Sequence, residues 1–326
     1  MAANSVIYAN TRAYSAYSSM LTEERYQRLL DCADGKELKK CLTEFGFEGE
    51  TTDEMFTRAI SDIYAYLNEG APIEGVKLAI LKKNDYHNAK VMAKCKYTRR
   101  EITDDLLYLQ GSVDVKRMKD CVLNDEYYLL PKPMQKALNE IDLRFSKGER
   151  TGRIIDILLN KATYEDIFAT LDGKYPEMAE VFRAEVDFMN LSVALRVRKN
   201  GLDLSVLKDE WISGGSLSYA DLEKITKDSA EEVALALRLA ENRDMIVDAM
   251  KETDSDSFID FERACDNYII GLLKPYKNQT ESYMLFYGYV LAKLYELKNV
   301  RIVCGGVKAG KDKSEIRAKL RDLYVG

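Results

Sequence analysis

Apolar residues return every three or four positions along most of this chain, and that rhythm confines it to helices. Val6, Ala9, Ala13, Ala16 and Met20 form one stripe, and Phe56, Ile60, Ile63 and Leu67 form another. Such spacings bring side chains to one face of a 3.6-residue turn, whereas a strand would need alternation. Met178, Phe182, Val186 and Met189 predict a helix running to about Lys199, with Gly201 placed to end it. Tyr283, Phe286, Val290 and Leu294 predict one more, extended by Leu297. Only 5 prolines occur in 326 residues, so long helices can run without a missing backbone donor. Ser229 and Glu232 form a capping box, and Thr52 or Asp53 is placed to cap the helix carrying Phe56. Short connections are expected around 70–72, 131–133, 173–176 and 214–215, where glycine and proline gather. The run 300–304 alternates like a strand, but beside a helix end it reads as a helix terminus or loop. The expected fold class is all-α.

A second pattern is laid over the first. Asp85-Tyr86-His87-Asn88, Asp187-Phe188-Met189-Asn190 and Glu296-Leu297-Lys298-Asn299 are each acid-x-x-Asn on a strong helical pattern, at intervals of 102 and 109 residues. The first follows the apolar run from Val76 to Leu81, the second lies within the predicted long helix, and the third is expected to end the last long helix. Basic residues repeat with them: Lys94 and Lys96 stand six and eight after Asn88, and Arg196 and Arg198 six and eight after Asn190. The third copy departs, with Arg301 two after Asn299 and Lys308 nine after. The period is far longer than a solenoid repeat. Three similar helical bundles are therefore expected, drawn as 1–105, 106–208 and 209–326. Acid and Asn at i and i+3 share a helix face. The acid could pair with a basic residue of a neighbouring helix, and the amide could bond a loop backbone. The tetrad residues Asp85, Asn88, Asp187, Asn190, Glu296 and Asn299 are read as a structural clasp in preference to a partner contact. For Lys94, Lys96, Arg196, Arg198 and Arg301, contact with acidic groups of a partner and internal pairing both stay open.

The groups that most chemistry needs are scarce. One histidine, His87, cannot build a His-rich metal site, and no Gly-x-Ser-x-Gly elbow accompanies it. Asp254-Ser255-Asp256 opens like a calcium loop, but Phe258 takes the next ligand position and no glycine follows at the turn. The six cysteines form no Cys-x-x-Cys pair and follow no legible secretory segment, so they are expected to be reduced thiols of a cytosolic protein. The formal net charge of −6 disfavours nucleic acid as a general partner. No apolar run approaches the roughly 20 residues needed to span a bilayer, so any membrane would be met through another protein. One rival signal stands out. Segment 305–311 follows the strand-like run and resembles a phosphate-binding loop through Lys311, with Asp312 where a hydroxyl should hold magnesium. A flexible basic loop before a last helix over 315–324 accounts for it more simply. No catalytic residue, metal or cofactor is expected.

The residues then match a known family. Tyr8-Ala9-Asn10-Thr11-Arg12 before a helix start at Leu21-Thr22-Glu23-Glu24, the three tetrads with their basic followers, and the stretch from Glu296 to Val303 before a Gly- and Lys-containing segment occur in a characteristic order. The chain resembles, over essentially its whole length, the C subunit of the archaeal and bacterial V-type (A-type) rotary ATPases, and is similar to the d subunit of the eukaryotic vacuolar enzyme. The resemblance implies three similar helical domains arranged as a pseudo-threefold funnel. It implies a non-catalytic central-stalk subunit, a socket on the cytoplasmic face of the membrane that joins the D and F shaft subunits to the proteolipid rotor ring. Torque for ATP-coupled proton or sodium transport would pass through it. A nucleotide-binding helical protein using 305–311, or a helical scaffold of an unrelated assembly, are the alternatives.

Overall fold

The computed structural model describes residues 6–237, 243–252 and 258–325, and every regular element among them is helical. The chain opens with α1 (Val6–Ala16), α2 (Glu23–Asp31), α3 (Gly35–Glu44) and α4 (Thr52–Gly70). Three of these start on a side chain that accepts an otherwise orphaned helix N–H. Thr22 accepts from Arg25, Asp34 from Lys36 and Glu37, and Thr51 from Glu54. The α4 cap thus stands one residue ahead of the expected Thr52 or Asp53. Thr52 is buried instead, and its hydroxyl accepts from Lys308 Nζ at 2.6 Å.

Next come α5 (Glu74–Thr98), α6 (Val115–Leu123), α7 (Lys132–Ser146), α8 (Gly152–Leu171), α9 (Pro176–Asn200) and α10 (Ser205–Glu210). Then follow α11 (Tyr219–Lys227), α12 (Ala230–Ala236) and α13 (Arg243–Glu252). Gly201 ends α9 in the left-handed region at φ 58°, where a side chain would be strained, as its placement predicts. The Ser229 and Glu232 capping box is present at the start of α12. The chain closes with α14 (Phe258–Leu273), α15 (Met284–Lys308) and α16 (Lys313–Arg317).

Contacts gather these helices into two compact units. One combines Met1–Ile73 with Ser255–Gly326, and the other is Glu74–Asp254. In the first, α15 packs against α1, α4 and α14. Phe286 and Tyr287 are fully buried there, and Tyr66 stacks on Phe286 with ring centroids 5.3 Å apart. Asn10 Nδ2 donates to the carbonyls of Thr280 (2.7 Å) and Ser282 (2.9 Å), fastening α1 to the segment ahead of α15. In the second unit α5 lies along α8. Tyr86, Met92, Met118, Val122, Ile141 and Leu159 fill its core. Across that helix pair Lys82 Nζ and Tyr86 Oη both donate to Asp166, at 2.8 and 3.1 Å. The lysine is buried with its counter-ion, which a buried charge requires.

Several local expectations change. The strand-like run 300–304 is helical and lies inside α15, which continues to Lys308. The third tetrad therefore sits within its helix and does not end it. The first tetrad likewise belongs to the same helix as the apolar run before it. Segment 305–311 is no flexible loop: Gly305 and Gly306 are in α15, and only 309–312 turn the chain into α16. A Cβ on Gly306 would stand 2.5 Å from Ile316 Cγ1, so this glycine serves helix packing. The last helix is shorter than expected and ends at Arg317. All six cysteines are free thiols. Burial pushes the Cys304 thiol up to about 11, which keeps it protonated and unreactive. Asp254-Ser255-Asp256 lies outside the described residues. No described helix is long and apolar enough to cross a membrane.

Candidate functional site

The three tetrads fall on the three helices of 25 residues, α5, α9 and α15. Asp85 and Asp187 are each the twelfth residue of their helix, and Glu296 is the thirteenth. All six tetrad acids and amides are buried.

Each asparagine grips one residue of a later loop by both its backbone groups. Asn88 Nδ2 donates to Tyr108 O at 2.8 Å, and Tyr108 N donates back to Asn88 Oδ1 at 2.9 Å. Asn190 does the same with Ile212, both bonds being 2.8 Å. Asn299 does so with Arg321, at 3.0 and 2.8 Å. A primary amide carries a donor and an acceptor side by side, as a peptide does, so it can satisfy one buried residue's N–H and C=O together. The target lies 20, 22 and 22 residues beyond the asparagine.

The two aspartates hold the same loops a few residues further on. Asp85 accepts from Ser112 N (3.0 Å), Val113 N (3.1 Å) and the Ser112 hydroxyl. Asp187 accepts from Ser216 N (3.1 Å), Leu217 N (2.9 Å) and the Ser216 hydroxyl. Burial raises both carboxyl pKa values above the usual carboxylate range, and the loop donors offset only part of the rise. The expectation that the acid would pair with a base on a neighbouring helix is therefore corrected. Backbone amides and a serine supply the donors, because the loop folds directly over the carboxylate. Gly111 and Gly215 allow that approach: a Cβ would stand 2.1 Å from Asp85 Oδ1 at the first and 2.2 Å from Asp187 Oδ1 at the second. Gly111-Ser112 and Gly215-Ser216 are thus functional parts that the periodicity does not reveal. Their only sequence signal is the dipeptide itself, repeated after each aspartate.

The third acid acts differently. Glu296 Oε2 accepts from Leu21 N at 2.6 Å, and its other oxygen takes the Lys293 ammonium. Its longer side chain ties down a segment near the chain's start, where the aspartates hold a following loop. His87, beside the first clasp, meets the Leu106 carbonyl at 3.2 Å and the edge of the Tyr108 ring.

The five basic residues all have partners within the chain. Lys94 pairs with Asp156 at 2.6 Å. Lys96 pairs with Asp125 and donates to Tyr127 Oη at 2.6 Å. Arg196 pairs with Glu210 at 3.0 Å. Arg198 donates to the carbonyls of Ile225 (3.0 Å) and Asp228 (2.6 Å), a cation at the negative end of α11. The Arg301 guanidinium lies 5.1 Å from the centre of the Phe56 ring. Lys311, the centre of the rival phosphate-loop reading, forms an exposed pair with Glu315 at 2.6 Å.

Comparison with known proteins shows the family of the chain. Residues 9–319 match the family model described as ATP synthase (C/AC39) subunit. The chain is 23% identical to the A-type ATP synthase C subunit of Haloquadratum walsbyi, covering 95% of this chain and 96% of that one. It is 23% identical to the protein of the same name from Haloferax volcanii (96% of each chain). To that of Pyrococcus horikoshii it is 22% identical, over 97% of this chain and 89% of the other.

Proposed function

The chain belongs to the ATP synthase (C/AC39) subunit family, and on that premise we propose that it is a non-catalytic stalk subunit of a rotary ATP synthase. In this role it is the socket between the D and F shaft subunits and the membrane proteolipid ring, on the cytoplasmic face of the membrane. The observation that carries the reading is the recurrence of one device: three helices of equal length, each gripping one loop residue through a mid-helix asparagine. A part that transmits torque must resist shear, and loops fixed by paired buried hydrogen bonds yield less than loops lying free. In this proposal the repeats, drawn as 1–105, 106–208 and 209–326, are three walls of a pseudo-threefold funnel. Lys94, Arg196 and Arg301 are the basic residues best suited to reach a partner, since each stays well exposed despite its internal contact.

Mixing the purified chain with the heterodimer of the D and F shaft proteins tests the reading. Co-elution as one complex on size exclusion is expected. Separate elution at both low and physiological salt would overturn it.

A further inference from the structure

The second unit carries an open cleft of about 740 Å³, walled by α8, α9 and the loop 211–214. Two cations line it, Lys161 from α8 and Arg183 from α9. Neither has a hydrogen bond or ion pair among the described residues. The contrast with their neighbours is sharp: Lys82, Lys94 and Arg196 each hold a carboxylate. Burial pulls the Lys161 pKa down, and the fields of Asp209 and Glu210 only partly restore it. Glu210 is already bound by Arg153 and Arg196. The one carboxylate in the lining, Glu165, has Lys136 at 3.6 Å. The lining thus carries two cations against one carboxylate, in a chain whose net charge is −6.

Its remaining surface is apolar and aromatic, with Phe168 and Trp211. The Trp211 indole N–H is covered and has no acceptor among the described residues. A buried donor left unpaired costs free energy, and native folds rarely leave one without a reason. The loop that presents it is held at both ends by the middle tetrad: Asn190 grips Ile212, and Asp187 holds Ser216 and Leu217. Between these grips Gly214 lies so close to Phe168 that a Cβ would stand 2.5 Å from its ring. The cleft is thus formed in advance, which lowers the ordering cost of whatever enters it.

We propose that this cleft is a docking site for an acidic segment of a partner polypeptide. Its carboxylates pair with Lys161 and Arg183 while a neighbouring apolar side chain lies on Phe168 and Trp211. Isolated anions gain little from cations that water still reaches. Two cations on separate helices around an aromatic floor suit a ligand that brings several charges and an apolar group together. The proposal rests on the reading of this chain as one member of an assembly, but its test uses the chain alone.

Trp211 is the only tryptophan, so intrinsic fluorescence reports on this cleft. The full chain is titrated with the blocked peptide acetyl-Glu-Glu-Leu-Phe-Glu-Glu-amide. A saturable change is expected. Arg183→Gln and Lys161→Gln should each weaken binding about tenfold, the scale of losing one charge-assisted hydrogen bond. The peptide with glutamine for every glutamate should not bind. Helicity and melting of each variant check its folding, and if one variant fails to fold the other decides. No saturable change up to millimolar peptide, equal binding of the neutral peptide, or undiminished binding by a folded variant would overturn the proposal. Failure to bind the D and F heterodimer while the peptide still binds would sink the socket reading and leave this one standing.

Discussion

Replacing Asn190 by alanine removes a fully buried amide that makes two 2.8 Å bonds to one residue. Each bond contributes about 1 kcal/mol net, and each backbone group left buried without a partner costs about 1–3 kcal/mol. Relaxation of the loop will let water reach part of the Ile212 backbone. A loss of about 2–4 kcal/mol follows. Asn190→Asp should do no better: it keeps an acceptor for the Ile212 N–H but turns a carboxylate oxygen toward the Ile212 carbonyl. Urea unfolding followed by Trp211 fluorescence is the suitable assay, because the tryptophan precedes the gripped residue and reports the second unit alone. With a slope of about 3 kcal/mol/M, the midpoint should fall by roughly 1 M. A midpoint within 0.2 M or so of the parent, at unchanged slope, would refute the view that the amide holds the loop.

Gly215→Ala should destabilise the second unit by more than Ser216→Ala. The first drives a methyl into the Asp187 carboxylate, while the second removes one hydroxyl bond at a cost of about 1–2 kcal/mol; thermal melts of the two variants give the order. Lys90, half-buried and donating to Asn160, has its pKa pulled down by burial to about 8. Between about pH 8 and 10.5 the unfolded chain holds a proton there that the folded chain has lost, so this residue's contribution to stability rises with pH across that window. Lys90→Met should therefore exceed the parent in stability at pH 7, by up to about 3 kcal/mol, and the gap should close towards pH 10.5 in paired denaturation curves. Lys311→Ala should leave the melting temperature unchanged, since its pair with Glu315 is exposed, and calorimetry with magnesium-ATP should show no heat in either protein.

The sequence makes the helices plain where one face is apolar, as in α4, and where glycine or a capping box marks an end, as at Gly201 and Ser229. It is less clear for α5 and α15. Their burial extends around most of the helix, so no single stripe shows how far each runs, and the third tetrad looks like a helix end when it is mid-helix. The asparagines are visible as a repeat, but their partners 20 to 22 residues away are backbone groups, which leave no mark on residue identity. Gly111-Ser112 and Gly215-Ser216 are ordinary turn dipeptides until the aspartates beneath them are known. The Gly-rich segment before Lys311 misleads for the opposite reason: glycine there makes room for Ile316 inside a helix-packing contact, and a linear reading cannot separate that from a phosphate cradle. The partners of the basic residues are likewise set by packing. Asp156 lies 62 residues from Lys94, and Asp125 lies 29 from Lys96.

The hold of Glu296 on Leu21 bears on how the chain is made. The first unit joins α1 to α4 with α15, so its opening helices leave the ribosome long before the helix they pack against. More than two hundred residues separate the end of α4 from the end of α15. At ordinary rates of synthesis that is roughly ten to fifty seconds during which the apolar faces of α1 to α4 lack their partner. The second unit, contiguous from Glu74 to Asp254, is complete in the meantime. A chain truncated before α15 should therefore keep a cooperative second unit and leave its first seventy residues prone to aggregate.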